Sequence, residues 1–118
     1  MNLHLELKEK IEAAYGNGPL VSIALKQDAL LIELDSGVFV ELRYLNPQEY
    51  SIGWIWGEAE FRIDTAPLHP HLNTYPNHLH DDCGNILNDP LTSLANEPWD
   101  NVQVLLDAII RNPLMTDV

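Results

Sequence analysis

The sequence predicts an α+β fold: a single twisted antiparallel sheet of about five strands, with an N-terminal and a C-terminal helix packed on its apolar face. Three observations lead there. Apolar residues recur at helical spacing at both ends of the chain. Between residues 20 and 64 they alternate with period two. The alternating runs follow one another through short turns, with no helical pattern between them. At 118 residues the chain has the length of one domain, 1–118, with enough apolar residues to fill a core.

The first helix is carried by Leu3, Leu7, Ile11 and Ala14, which lie on one face; Glu6 and Lys10 form a supporting i, i+4 pair. Gly16-Asn17-Gly18-Pro19 stops it. Val21, Ile23 and Leu25 then alternate with Ser22, Ala24 and Lys26. Leu30, Ile32 and Leu34 follow after Gln27-Asp28, and Asp35-Ser36-Gly37 is a turn signal. Val38, Val40, Leu42 and Tyr44 make the third strand, and Asn46-Pro47-Gln48 breaks it. Tyr50, Ile52, Trp54 and Trp56 share one face of the fourth, so the tryptophans read as core side chains. Past Gly57-Glu58, Ala59, Phe61 and Ile63 face one way while Glu60, Arg62 and Asp64 face the other. Residues i and i+2 of a strand lie ~6.5–7 Å apart on one side, so Arg62 and Asp64 are neighbours.

Residues 65–96 read as a long irregular His- and Pro-rich loop, punctuated by Pro67, Pro70, Pro76 and Pro90. Asn96 reads as an N-cap with Glu97 and Pro98 in the first turn of the second helix. Its stripe is Trp99, Val102, Leu105, Leu106, Ile109 and Ile110, and Asn112-Pro113 ends it.

The formal net charge is −12. That is the opposite of a generic duplex-binding module, whose affinity comes from neutralising phosphates. It reads first as a self-repelling surface and second as a dock for a basic partner. The lone Cys83 excludes an intrachain disulfide. The N-terminus lacks the basic and apolar regions of a secretion signal, and no apolar run approaches the ~18 residues of a membrane span. The expected compartment is the cytoplasm, with no membrane association.

Four of the five histidines, His69, His71, His78 and His80, fall just after Arg62-Ile63-Asp64 and before Asp81-Asp82-Cys83. Two chemistries suit them. His69, His71, His78 and His80, with or without Asp64 or Cys83, offer enough ligands for a tetrahedral ion such as zinc, although the spacing is not a standard structural zinc pattern. Alternatively, two imidazoles and an arginine cleave RNA without metal. One imidazole takes the 2′-hydroxyl proton, the other protonates the leaving oxygen, and Arg62 stabilises the phosphorane. Asp64 would fix a histidine tautomer or hold Arg62. The simpler readings are a surface ion pair for Arg62 and Asp64, a polar loop for the histidines, and a partly buried inert thiol for Cys83. His4, between leucines, carries no assigned role.

The run Phe61-Arg62-Ile63-Asp64-Thr65-Ala66-Pro67-Leu68-His69, followed by Tyr75-Pro76-Asn77-His78-Leu79-His80, resembles the TumE-like toxins of bacteria. Their pattern is aromatic-R-Y-D-N-A-P-H-H, then F-P-H-H-K-H. Tyr50-Ser51-Ile52-Gly53-Trp54 resembles the family's Y-S-Y-H-W hairpin. The resemblance implies the toxin half of a type II toxin–antitoxin pair, partnered by a helix-turn-helix antitoxin. It places Arg62, Asp64, His69, His78 and His80 in the site. Thr65 stands where the family has Asn, Leu68 and Asn77 where it has His, and Leu79 where it has Lys. The resulting expectation is a metal-independent RNA endonuclease or a diverged, inactive descendant, able to form homo-oligomers. The alternative is a non-catalytic metal-binding or protein-interaction module.

Overall fold

The structure, a computed structural model, describes residues 2–116; Met1, part of the N-terminal run read above, lies outside the described residues. The elements are α1 (Leu3–Tyr15), β1 (Leu20–Lys26), β2 (Ala29–Leu34), β3 (Phe39–Asn46), β4 (Glu49–Trp56), β5 (Ala59–Asp64), β6 (His78–His80), β7 (Ile86–Asn88) and α2 (Pro98–Arg111). The strands form one sheet in the order β1-β2-β3-β4-β5-β6-β7, each antiparallel to the next. The α+β class is as expected. The strand count is not: the sheet has seven strands rather than about five.

The two additional strands lie in the stretch expected to be irregular, and each is three residues long. Three residues are too few for a period to emerge from a Pro-rich background. The β6–β7 hairpin is closed by Asp81, whose Oδ1 accepts from the backbone N–H of Cys83 at 3.0 Å and of Asn85 at 2.7 Å. Gly84, at φ +84°, takes the left-handed position that this tight turn requires.

One face of the sheet carries the core. Leu30, Ile32, Val40, Leu42, Ile52, Trp54, Phe61 and Ile63 are buried on it against Leu7 and Ile11 of α1 and Val102, Leu105, Leu106 and Ile109 of α2. Burying such side chains is worth about 1.5–3 kcal/mol each against exposure. Four local expectations are revised. Ala14 is exposed and Tyr15 takes the third buried position of α1 after Leu7 and Ile11, its hydroxyl donating to Asp107 Oδ1 at 2.6 Å. Val21 is exposed, because a register shift between Leu20 and Ser22 turns it out of the alternation. Trp56 is exposed at the strand end, with its indole N–H donated to the Ser36 carbonyl. The cap of α2 is Glu97 rather than Asn96, with Pro98 opening the helix.

Among the described residues, no helix packs on the opposite face. Cross-strand pairing lays Leu31, Glu41, Gly53, Arg62 and His80 in one row, and Arg43, Ser51, Asp64 and His78 in the next. A groove of about 510 Å³ runs over this face, lined by Leu31, Phe39, Ile55, Glu41, Glu60 and Arg62 among others.

Candidate functional site

Arg62 and Asp64 share a face of β5 because they are two residues apart. His78 and His80 share a face of β6 for the same reason. The register places Asp64 directly opposite His78 and Arg62 directly opposite His80. Leu79, between the histidines, points the other way and is buried in the core. The apolar pin that seats β6 therefore also fixes both imidazoles on the helix-free face.

The contacts are short. Arg62 Nε donates to Asp64 Oδ2 at 2.9 Å, and its Nη2 reaches His80 Nε2 at 3.0 Å. His78 Nε2 lies 3.0 Å from Asp64 Oδ1 and 3.0 Å from His80 Nε2. His80 Nε2 is 3.4 Å from Asp64 Oδ2. Asp64 Oδ1 also accepts from the Ala66 backbone N–H at 3.0 Å. An arginine only donates, so His80 Nε2 presents its lone pair. His78 Nδ1 lies 3.2 Å from the Pro76 carbonyl, which only accepts, so Nδ1 donates there. Two acceptors, the Asp64 carboxylate and His80 Nε2, therefore face His78 Nε2, which donates to them when the ring is protonated and presents its lone pair in the neutral tautomer whose Nδ1–H goes to Pro76.

Burial separates the members. His78 is 1% exposed and Asp64 is buried, whereas Arg62 is half-exposed and His80 is partly open to solvent. Burial opposes the charged form of Asp64. The Arg62 hydrogen bond, the Ala66 N–H and the charges of His78 and Arg62 outweigh it and hold the carboxyl below its usual value. Burial, and then the Arg62 cation, push His80 below the ordinary imidazole value, with Asp64 opposing.

His69, on the segment between β5 and β6, packs its ring edge-on to His78 at 4.7 Å between centroids and lies 6.5 Å from the His80 ring. It joins the cluster. His71 is exposed on the far side of His69, with its ring 6.1 Å from that of His69. Of the four histidines considered as metal ligands, only His78 and His80 converge closely with a carboxylate. Among the described residues, Asp64, His78 and His80 form a group whose ligand atoms all lie within 4.8 Å of one another.

Cys83 is exposed rather than partly buried. The charges of Asp82 and Asp81 raise its thiol pKa, which removes nucleophilic character. His4 accepts the Tyr44 backbone N–H at 3.1 Å and is structural.

A supporting network behind β6 was not legible in the sequence. Asn77, Asp89 and Thr92 are buried with Tyr50. Asn77 Nδ2 donates to the Tyr50 hydroxyl at 2.9 Å and to Asp89 Oδ2 at 3.0 Å. Asp89 also accepts from the Leu91 N–H at 2.8 Å, the Thr92 N–H at 2.9 Å and the Thr92 hydroxyl. This network anchors the residue immediately before His78. Asn88-Asp89-Pro90 signals a turn, but nothing local says that the Asp89 carboxylate turns inward.

The sequence model of one protein family, described as Toxin TumE, matches residues 21–112, which is most of the chain. No curated protein and no solved structure matches.

Proposed function

The chain belongs to the TumE toxin family, and from that premise we propose that it is the toxin of a type II toxin–antitoxin pair, cutting RNA by metal-independent acid–base chemistry. A helix-turn-helix antitoxin is the partner in this reading. The observation that carries the chemistry is the spacing of the imidazoles around Arg62.

In-line displacement needs the base and the acid on opposite sides of a phosphorus, each within about 2.6–3.2 Å of its oxygen. His78 and His80 touch through their Nε2 atoms at 3.0 Å, which leaves no room for a phosphate between them. His78 is also buried. His69 and His80, with ring centroids 6.5 Å apart, leave that room. The reading therefore makes His80 and His69 the acid–base pair, Arg62 the phosphate clamp, and Asp64 and His78 positioning residues. His80 Nε2 takes the 2′-hydroxyl proton as the O2′–P bond forms. The P–O5′ bond breaks, and His69 gives its proton to the leaving O5′. Arg62 moves from His80 to the non-bridging oxygens, where charge develops.

The products are a 2′,3′-cyclic phosphate and a 5′-hydroxyl. Incubation of purified protein with single-stranded RNA in the presence of a chelator should yield those ends. Arg62→Ala should reduce the rate by about two to three orders of magnitude. His80→Ala and His69→Ala should each lower it by about 10²–10⁴. His71→Ala should leave it within a few-fold. A 3′-hydroxyl product, a requirement for metal, or no cleavage at all would overturn the reading.

A further inference from the structure

We propose that Asp64, His78 and His80 hold a divalent transition ion of the zinc class, and that the ion takes His80 away from Arg62. Three side chains converge here, the carboxylate meeting each imidazole through a different oxygen; taking one ligand atom from each, all lie within 4.8 Å of one another. The contacts are 3.0 Å from His78 Nε2 to Asp64 Oδ1, 3.0 Å from His78 Nε2 to His80 Nε2 and 3.4 Å from His80 Nε2 to Asp64 Oδ2. Ligands at 2.0–2.1 Å from a tetrahedral zinc stand about 3.3 Å apart along each edge. The His78–His80 edge is within a few tenths of an ångström of that value, and a turn of the Asp64 carboxylate that brings one oxygen to both imidazoles seats the ion.

The surroundings match what a metal site requires of its support. His78 Nδ1 faces the Pro76 carbonyl at 3.2 Å, which directs the lone pair of Nε2 into the cluster. Asp64 is oriented by the Ala66 N–H at 3.0 Å. Two imidazoles and a carboxylate suit zinc and its neighbours rather than magnesium or calcium, which prefer all-oxygen shells. Three protein ligands leave a fourth position for water or a further ligand; His69 packs edge-on to His78 at 4.7 Å between ring centroids. Of the ligands weighed from the sequence, Asp64, His78 and His80 make up this set, and His69 and the exposed His71 fall outside it.

Arg62 opposes the ion. It is a cation whose Nη2 occupies the His80 lone pair at 3.0 Å. Binding must break that hydrogen bond, and the ion then holds the lone pair that a general base would use. Resting on the nuclease reading, this makes the ion an inhibitor of cleavage. The binding claim itself does not depend on that reading.

The test titrates the purified full chain with cobalt(II), read by its visible absorption, and with zinc, read by calorimetry and by the melting temperature. The expected result is one ion per chain, a tetrahedral cobalt spectrum and a raised melting temperature. Asp64→Asn and His80→Ala should each weaken binding by at least about 10–100-fold. His80 is partly exposed, so its variant reports on the ion even where a change at buried His78 prevents folding. His71→Ala should change nothing. Arg62→Ala should tighten binding several-fold while lowering cleavage by about two to three orders of magnitude, a pair of opposite effects that general unfolding cannot produce. No cobalt spectrum, no thermal shift, or binding that survives both Asp64→Asn and His80→Ala would overturn the proposal. Ion binding without any RNA cleavage would leave this proposal standing and sink the nuclease reading alone.

Discussion

His4 shows how much one side chain's protonation can matter away from the site. The pairing of β3 with β2 ends at Leu42, and the Tyr44 N–H finds its acceptor in His4 Nε2 instead. Burial lowers the His4 pKa from the ordinary 6.5; the nearby Asp28 charge opposes this and the Arg43 charge assists it. The folded state thus favours neutral imidazole, and the unfolded chain binds more protons. The His4 contribution should be complete above 6.5 and shrink as pH falls through the lowered native value. Urea midpoints of the wild type and His4→Ala should differ more at about pH 7.5 than at about pH 5. An equal difference at both would mean that His4 contributes packing alone. At this same scale, Arg62 and Asp64 were legible as neighbours because two-residue periodicity is a property of any strand. The partition of the histidines was not legible. His69 packs inward and His71 outward through the path of an irregular segment, which no local spacing encodes.

Between elements, the lesson is the dependence of β6 on what lies behind it. The sequence announced the five long strands and both helices, since each has enough residues for a period to show. It did not announce β6, whose three residues are held by Leu79 in the core, by pairing with β5 and by the Asn77–Asp89–Thr92 network. Asp89→Ala should therefore destabilise the protein by roughly 2–4 kcal/mol, because it leaves the Leu91 and Thr92 N–H groups without their acceptor and removes one of the acceptors of the buried Asn77 amide. Denaturant unfolding measures that loss. Hydrogen exchange should show the β6–β7 amides losing protection ahead of those in β2 and β3. If protection falls uniformly across the sheet, Asp89 supports the fold in general and not the strand that carries His78 and His80.

The molecule as a whole carries a charge of −12, and an RNA-cleaving site must work inside that field. Arg62 is the cation seated at the histidine cluster, while Glu41 and Glu60 line the same groove. The molecule measures 40 × 35 × 23 Å. At ~10 mM salt the Debye length is about 30 Å, so nearly the whole negative field reaches an approaching phosphate; at ~100 mM it is about 10 Å and only local charges remain. In the nuclease reading Arg62 would touch the phosphate directly and keep its effect in both conditions. The expected kcat/KM for a short single-stranded RNA therefore rises as salt increases over that range, opposite to the counterion-release slope of a basic nuclease. Neutralising one repulsive charge that lines the groove, with Glu60→Gln, should raise the low-salt value and flatten the dependence. A basic antitoxin should show the reverse slope, its association slowing as salt screens the attraction. Stopped-flow association and initial cleavage rates, measured across the same salt series, read the two slopes side by side. A cleavage rate that falls steeply with salt would mean that substrate binds through a basic surface, and the acidic face around Arg62 would then not be where the RNA lies.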